Sequence, residues 1–311
     1  MKKVLLSLLF VAAWLGCNAM KGDVNGDGSV TAADVTALYN CLLSSDSSSL
    51  VNGDVNGDGY ITSADVTEVY NIILNGQEPE VTEYTVGGVT FKMVEVDGGT
   101  FMMGAPDSDT EAYSLERPAH QVTLSDYWIG ETEVTEALWK AVMQVDDVSY
   151  SMGDYYPIRF VTWDQCLEFT QRLSQLTGLN FTLPTEAQWE FAARGGNLSH
   201  GYLYSGSNNL DEVAWYAGNS NNVLHEVATK TPNELGIYDM CGNIAEWCLD
   251  DIYDYTTEAQ VDPTHPKTTV NNMLRSSAWD DVARDCRLTT RWKTNGMSIW
   301  IGFRIAIVPQ S

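Results

Sequence analysis

Apolar positions divide the chain into stretches of different period. Val4 to Leu15 is an apolar run, interrupted only by Ser7, behind Lys2-Lys3 and ahead of small residues. That is the make-up of an export signal over residues 1–19, too short with its flanks to span a membrane. Two later stretches carry Val35, Leu38, Tyr39, Leu42, Leu43 and Val66, Val69, Tyr70, Ile73, Leu74. Their i, i+3, i+4, i+7, i+8 spacing predicts two amphipathic helices. Farther on, Thr90 to Val96 and Val122 to Ile129 alternate like strands, while Thr135 to Met143 and Trp163 to Thr177 are striped like helices. The Trp163 helix would turn Cys166 inward. Thr185 stands as a candidate N-cap before Glu186-Ala187-Gln188-Trp189. Long segments rich in Gly, Asn, Ser and aromatics, such as Asn197 to Asn222, leave little regular secondary structure for the length.

The two helical stripes belong to an internal repeat. Asp23, Asn25, Asp27, Gly28, Thr31 and Asp34 recur as Asp54, Asn56, Asp58, Gly59, Thr62 and Asp65. Side-chain oxygens at loop positions 1, 3, 5 and 12, with Gly at 6 for the sharp turn, suit the hard, oxygen-seeking Ca²⁺. The bland alternative is an acidic linker with chance repeats. Position 12 is Asp rather than the Glu of an EF-hand. Two such loop–helix units resemble a type I dockerin, which implies two bound calcium ions, with Thr31 and Thr62 among the ligand positions, and a cohesin-type partner. At about 55 residues the module has little core, so its folding is expected to depend on metal. Cys41 aligns with Ile72, the place of a small core hydrophobe. The module is assigned residues 20–76, a polar linker 77–84, and a second domain 85–311.

From Arg275 to Arg304 neither period holds. Arg284, Arg287 and Arg291, one cysteine, three tryptophans and a closing Gly302-Phe303-Arg304 follow an Asp-rich turn, and only Ile299 to Ile307 approaches a core strand. An irregular loop held by buried aromatics and arginines is where binding residues tend to sit. Upstream come Gly98-Gly99-Thr100-Phe101-Met102-Met103-Gly104, Glu133-Val134-Thr135, the Leu183 to Gly196 stretch LPTEAQWEFAARGG, and Leu235-Gly236-Ile237-Tyr238-Asp239-Met240-Cys241-Gly242-Asn243. In this order, over residues 86–308, they resemble the formylglycine-generating enzyme (sulfatase-modifying factor) family. The resemblance implies an α+β, C-type-lectin-like fold. It does not settle activity, because one fold hosts many functions.

Oxidases of that family hold Cu(I) on two cysteines five residues apart behind a serine. Carried over, these positions are Asp281, Cys286 and Ala278. A carboxylate is a poor ligand for a soft ion and a single thiolate cannot make the site, so formylglycine formation and bound copper are not expected. An iron-dependent branch uses clustered histidines, whereas His120, His200, His225 and His265 are scattered. The resemblance also implies a third calcium, held by Asp239, the carbonyls of Gly242 and Ile244, and Glu246; the alternative is a Glu246 that caps or salt-bridges. Non-catalytic relatives use the C-terminal stretch as a variable ligand-binding face. That implies a constant framework of Trp279, Arg284, Cys286, Arg287, Arg291 and the Gly302-Phe303-Arg304 end. Asp280, Asp281, Asp285, Trp292, Lys293, Met297 and Trp300 would then meet a protein or glycan ligand, with Val282, Leu288, Thr289, Thr290, Thr294 and Ser298 also facing outward. The competing expectation packs Trp292 and Trp300 against the domain body. An enzyme of altered chemistry using Cys286 and nearby carboxylates stays open, as does a mainly adaptor role for the dockerin-like module.

Charge and cysteine usage narrow the setting. Seventeen basic against 42 acidic residues, a formal net charge of −25, argue against nucleic acid and anionic lipid. Leu15-Gly16-Cys17 resembles a bacterial lipoprotein box that would lipidate Cys17, yet Cys17-Asn18-Ala19 serves equally as an ordinary cleavage site. Either route exports the protein, as a surface or outer-membrane lipoprotein or as a secreted one, with membrane contact only through the anchor. The other cysteines, Cys41, Cys166, Cys241, Cys248 and Cys286, are odd in number, so at least one is free or paired externally. Cys286 is expected packed or disulfide-bonded, with Cys248 a candidate partner.

Overall fold

The computed structural model describes residues 21–27, 29–44, 47, 50–75 and 79–309. Its two compact units meet in sequence between Glu78 and Pro79. The export signal, Cys17 and Gly28 lie outside the described residues. Among the described residues no helix is long and apolar enough to cross a membrane.

In the N-terminal unit the repeat folds as two loop–helix pairs, with α1 at Ala32–Ser44 and α2 at Ser63–Asn75. Its core joins Val35 and Leu38 of α1 to Val66, Val69 and Ile72 of α2, with Val24 and Val55 from the loops. Cys41 is buried, at the repeat position of Ile72. The buried stripe is narrower than the sequence pattern suggests. Tyr39 (47% exposed), Leu43 (85%), Tyr70 (45%) and Ile73 (38%) lie on the outside. Each helix has one partner, so only positions three apart can face it, and the i+4 members of the pattern are left over.

The larger unit opens with β1 (Val81–Val86), β2 (Val89–Val96), β3 (Gly99–Met103), β4 (His120–Leu124) and β5 (Tyr127–Gly130). Helices α3 (Glu136–Met143) and α4 (Trp163–Thr177), β6 (Phe181–Thr182), α5 (Glu186–Ala193) and α6 (Leu210–Val213) follow. The remainder is β7 (Ala245–Asp251), β8 (Gln260–Val261), β9 (Asn272–Arg275), β10 (Trp292–Thr294), β11 (Ile301–Gly302) and β12 (Ala306–Ile307). Among the described residues the sheets run β1-β2-β5-β12-β6, β10-β9-β7-β11 and β3-β4-β8. β1 starts at Val81, inside the segment read as linker, and pairs with β2 along its whole length.

Two apolar stretches read as single strands are broken in the structure. Val122 to Ile129 splits because Asp126 turns back to accept the Gly98 amide and Ser125 donates to Asp262, so β4 and β5 enter different sheets. Ile299 to Ile307 splits into β11 and β12 around Phe303-Arg304, where Arg304 turns to Glu246. Helix ends follow their sequence signals. Thr162 and Thr185 cap α4 and α5, each closed into a capping box by Gln165 and Gln188. Trp139 stacks on Phe169 at 5.4 Å with Phe303 edge-on to both, and Cys166 is fully buried beside them.

One glycine ties the second half of the domain together. Gly242 adopts φ +78°, and a Cβ there would come within 2.2 Å of the Trp215 carbonyl oxygen. Gly242→Ala should therefore destabilise the larger unit by at least ~2 kcal/mol, left-handed backbone strain plus the clash. A urea titration followed by tryptophan fluorescence should show an earlier midpoint; an unchanged midpoint would contradict the close approach.

Candidate functional site

Four buried arginines fix the irregular C-terminal stretch. Arg275, on β9, donates to Glu186 at 2.9 Å and Glu190 at 2.8 Å, both on α5. Arg291 grips the same Glu186 through both oxygens, at 2.6 and 2.8 Å. Arg287 reaches Glu116 at 2.9 and 2.8 Å and Asp109 at 2.8 Å. Arg304 holds both oxygens of Glu246 at 2.7 Å. Burial alone would raise Glu186, but the Arg291 and Arg275 guanidinia hold it down at about 2. Such pairs set geometry well, because removing either partner strands a buried charge. Glu116, more than 170 residues from Arg287, carried no local signal in the sequence.

Around this frame lies a cleft of about 400 Å³, lined by Ala245, Leu274, Ala278, Asp280, Asp281, Trp292, Thr294, Ser298, Trp300 and Ile301. Of the seven positions expected to meet a ligand, Asp280, Asp281, Trp292 and Trp300 come together here. Asp285, Lys293 and Met297 are not among its walls: Asp285 accepts the Tyr113 hydroxyl at 2.8 Å, and Lys293 and Met297 are exposed elsewhere on the stretch. Trp292 is half-buried against Tyr113, and Trp300 is 43% exposed. The outward list needs correcting at Leu288, Thr289 and Thr290, which are buried. The Leu288 carbonyl accepts from Arg275 and the Thr289 hydroxyl donates to Glu116, so the arginine frame draws them in. Arg284, expected in the framework, is exposed with its guanidinium 4.0 Å from the Tyr113 ring centre.

The positions that match the family's cysteine pair behave differently from one another. Asp281 is half-buried, and its Oδ2 accepts the Ala278 amide at 2.7 Å. Burial, then the neighbouring Asp280 and Asp285 carboxylates, outweigh that amide and raise its pKa. Cys286 is 1% exposed. Its Sγ accepts from the Ser277 hydroxyl at 3.1 Å, and burial pushes its pKa far up, so it is a protonated thiol. Ser277, one residue before the position carried over for the family's serine, is thus the serine that touches the sulfur. Cys41, Cys166, Cys241, Cys248 and Cys286 are all free, so Cys286 does not pair with Cys248.

The calcium positions carried over in this domain do not fit a cation as arranged. Both Glu246 oxygens are taken by Arg304, one also by the Trp189 indole at 2.7 Å, and the Gly242 carbonyl accepts from Ser276. Ile244 is buried, and Asp239 accepts the Ala228 amide at 2.7 Å. Glu133, not picked out for metal, completes this acidic group and accepts from Asn243. Burial and the facing Asp239 raise Glu133 well above the carboxylate range, and burial raises Asp239 to about 6. Among the described residues, Glu133 Oε2 and Asp239 Oδ1 are buried with no hydrogen-bond partner.

In the smaller unit the position-12 acids close their loops. Asp34 accepts the amides of Val24, Asn25 and Thr31 at 3.0, 3.1 and 2.8 Å, and Asp65 those of Val55, Asn56 and Thr62 at 2.8, 3.1 and 2.7 Å. Asp23 accepts from Gly26 and Asp27, and Asp54 from Asp58 and Gly59. Asn25 and Asn56 each donate to the loop aspartate two residues on, Asp27 and Asp58. Among the described residues no three His, Cys, Asp or Glu side chains converge on one point. The donor chemistry, carboxylate and amide oxygen only, is that of a calcium loop.

Comparison with known proteins agrees with this division. Residues 80–308 match the family model of the sulfatase-modifying factor enzyme 1-like domain, and residues 21–74 that of the dockerin type I domain, whose members generally bind calcium. Chaperone protein LppX of Paenibacillus barcinonensis is 34% identical over 210 residues, covering 51% of this chain and 71% of that relative. Formylglycine-generating enzyme of Streptomyces coelicolor is 24% identical over 289 residues, covering 68% of this chain and 88% of that relative. The chain spans only 38% of another relative's length, the serine/threonine-protein kinase pkn1 of Chlamydia pneumoniae, at 24% identity over 69% of this chain. Among solved structures, Treponema denticola variable protein 1 has a TM-score of 0.67 and 32% identity, covering 75% of this chain and 100% of that one.

The arginine frame has a pH signature. Glu186 titrates near 2 folded against an ordinary value of 4.5. A depressed carboxyl contributes its stability fully above the ordinary value and loses it as pH falls through the folded value. On the order of 3 kcal/mol should therefore disappear between about pH 5 and pH 2. Glu186→Gln, which leaves Arg275 and Arg291 short of charge, should cost about 3–5 kcal/mol at neutral pH and give a shallower acid limb. Urea midpoints measured from pH 7 to pH 3 check both; parallel curves for the two proteins would refute the assignment.

Proposed function

The chain belongs to the sulfatase-modifying factor enzyme family, with a dockerin type I module ahead of that domain, and we propose that the larger unit binds a ligand instead of performing the family's oxidase chemistry. One observation carries this reading. The cleft beside the cysteine-pair positions is walled by Asp281 and Ala278, while the one remaining thiol, Cys286, is buried and is not among its walls. A carboxylate is a poor substitute for a soft thiolate toward Cu(I), and one thiolate cannot make a two-thiolate site. Tryptophans on an irregular but firmly anchored surface suit the centre of a binding interface. That a similar solved structure is described as a variable protein accords with a face of changeable positions on a constant frame. The alternative, altered chemistry at Cys286, would need that sulfur to become both exposed and ionised.

The dockerin module is read as a calcium-dependent plug for a cohesin-type partner. Exposed apolar side chains on its helices, Tyr39, Leu43, Tyr70 and Ile73, with Val51 and Tyr60 from the loops, give it an outer surface to cover. Two calcium ions would be held by Asp23, Asn25, Asp27, Thr31 and Asp34, and by Asp54, Asn56, Asp58, Thr62 and Asp65. Modules of these two kinds are typical of exported proteins, and we read this one as a bacterial surface lipoprotein anchored through Cys17, with ordinary secretion as the alternative. The Cys17→Ser variant should then move from membrane to soluble exported fractions.

Two measurements test the functional reading. Copper-loaded protein incubated with a Cys-X-Pro-X-Arg peptide should give no formylglycine mass shift; a shift that vanishes in Cys286→Ala would overturn ligand binding as the primary role. Calorimetry in chelator-treated buffer should record two calcium-binding events, accompanied by a gain of helical circular dichroism. Full helicity in chelator, or heat without two events, would count against the calcium loops.

A further inference from the structure

The cleft brings together two chemistries that rarely share a wall without a purpose. Its sides are tryptophan and aliphatic: Trp292, Trp300, Ala245, Leu274 and Ile301. At its edge stand Asp280, exposed, and Asp281, half-buried. Among the described residues neither aspartate forms an ion pair, and the charges that act on Asp281 are the carboxylates of Asp280 and Asp285. Basic groups of the neighbourhood are engaged elsewhere. Arg159 donates to the Tyr150 carbonyl and lies 5.7 Å from the buried Trp279 ring. Arg284 is held by the Glu111 carbonyl and the Tyr113 ring. Lys293 sits on β10 between Trp292 and Thr294, and since successive side chains of a strand point to opposite faces, it leaves the cleft that its two neighbours line.

We propose that this cleft is built for an organic cation, an alkylammonium group whose charge rests against Asp280 and Asp281 and whose carbon substituents lie on Trp292 and Trp300. This deepens the ligand-binding reading above and rests on it. A metal ion is the poorer occupant, because a hard cation needs six or more oxygens and most of these walls are carbon. Guanidinium is also poorer. Its planar fork asks for both oxygens of one carboxylate, and Asp281 Oδ2 is committed to the Ala278 amide at 2.7 Å. An ammonium needs only charge nearby and the electron-rich face of an aromatic ring, best a tryptophan. A volume of about 400 Å³ accepts such a head with its alkyl groups. The uncompensated carboxylates would also draw a cation in from solution, an attraction that salt screens.

The test uses the full-length protein with calcium present and two probes of nearly the same shape, butyltrimethylammonium and its uncharged analogue 5,5-dimethylhexan-1-ol. Titration followed by tryptophan fluorescence should show saturable binding of the ammonium, at least about tenfold tighter than the alcohol. Asp280→Asn, an exposed change that the fold should tolerate, and Asp281→Asn, which keeps an acceptor for the Ala278 amide, should each weaken the ammonium severalfold and leave the alcohol unchanged. Trp300→Ala should weaken both probes. Equal binding of the two probes, or ammonium binding indifferent to both asparagine variants, would overturn the cation proposal while leaving the cleft a binding site. Absence of any ammonium binding also overturns it. Formylglycine formation in the copper assay would instead sink the binding reading itself.

Discussion

The larger unit depends on guanidinium–carboxylate pairs that water does not reach. Arg275, Arg291 and Arg304 are each at most 2% exposed, and the carboxylates of Glu186, Glu190 and Glu246 that they hold are fully buried. A hydrophobic core alone cannot set the angles of a segment such as 275–304, which has few consecutive ladder bonds and whose buried apolar residues, Trp279, Leu288 and Phe303 among them, are interspersed with polar ones. A planar fork can, because two parallel hydrogen bonds set both position and angle. The pairs therefore contribute specificity more than net stability. Apolar replacements of the same shape could match them in energy, but removing one partner alone cannot.

That division of labour would let a loop-rich surface serve the ligand binding proposed above. The arginines reach back to α5, to the turn at Ser114–Glu116 and to β7, and so draw Leu288, Thr289 and Thr290 into the interior. What is left outside between the anchors, including Asp280, Lys293, Met297 and Trp300, makes few contacts with the frame. Substitution there changes a surface, whereas substitution at an anchor changes a fold. The same anchors keep Cys286 beneath the surface, against Ser277, where burial stabilises the thiol over the thiolate.

Much of this was legible in the residues. The bounds of α4, the cap at Thr185 and the buried Cys166 follow from period and capping signals that act within one turn. The N-terminal repeat was visible because six positions match in register between its two copies. What escaped were consequences of distance and of neighbour number. Glu116 and Glu133 find their partners across more than a hundred residues, which no local pattern encodes. Tyr39 and Leu43 fit an amphipathic stripe, yet a stripe does not say how many partners a helix will have. Lys293 and Trp292 are adjacent in sequence and both suited to a ligand, but strand alternation in β10 sends only one of them to the cleft.

Both units bury acidic groups, and they neutralise them by different means. In the larger unit arginines do it from within the chain, and where they run short, at Glu133 and Asp239, burial raises the carboxyl pKa values. Arg304 occupies the oxygens of Glu246 that a cation would otherwise use, so this unit carries its own countercharge. The smaller unit has Lys21 paired with Glu68, and its loop carboxylates accept from backbone amides and from the side chains of Asn25 and Asn56. Amides orient a carboxylate but bring no net positive charge, so a bound cation would relieve the crowding of acids in each loop. An internal ion pair makes a fold that stands in any medium of moderate pH; a borrowed cation makes one that answers to its concentration. If the proposed roles hold, the dockerin unit would be the part of the chain whose folding the surroundings control, and the cleft-bearing unit the part that folds without a borrowed cation.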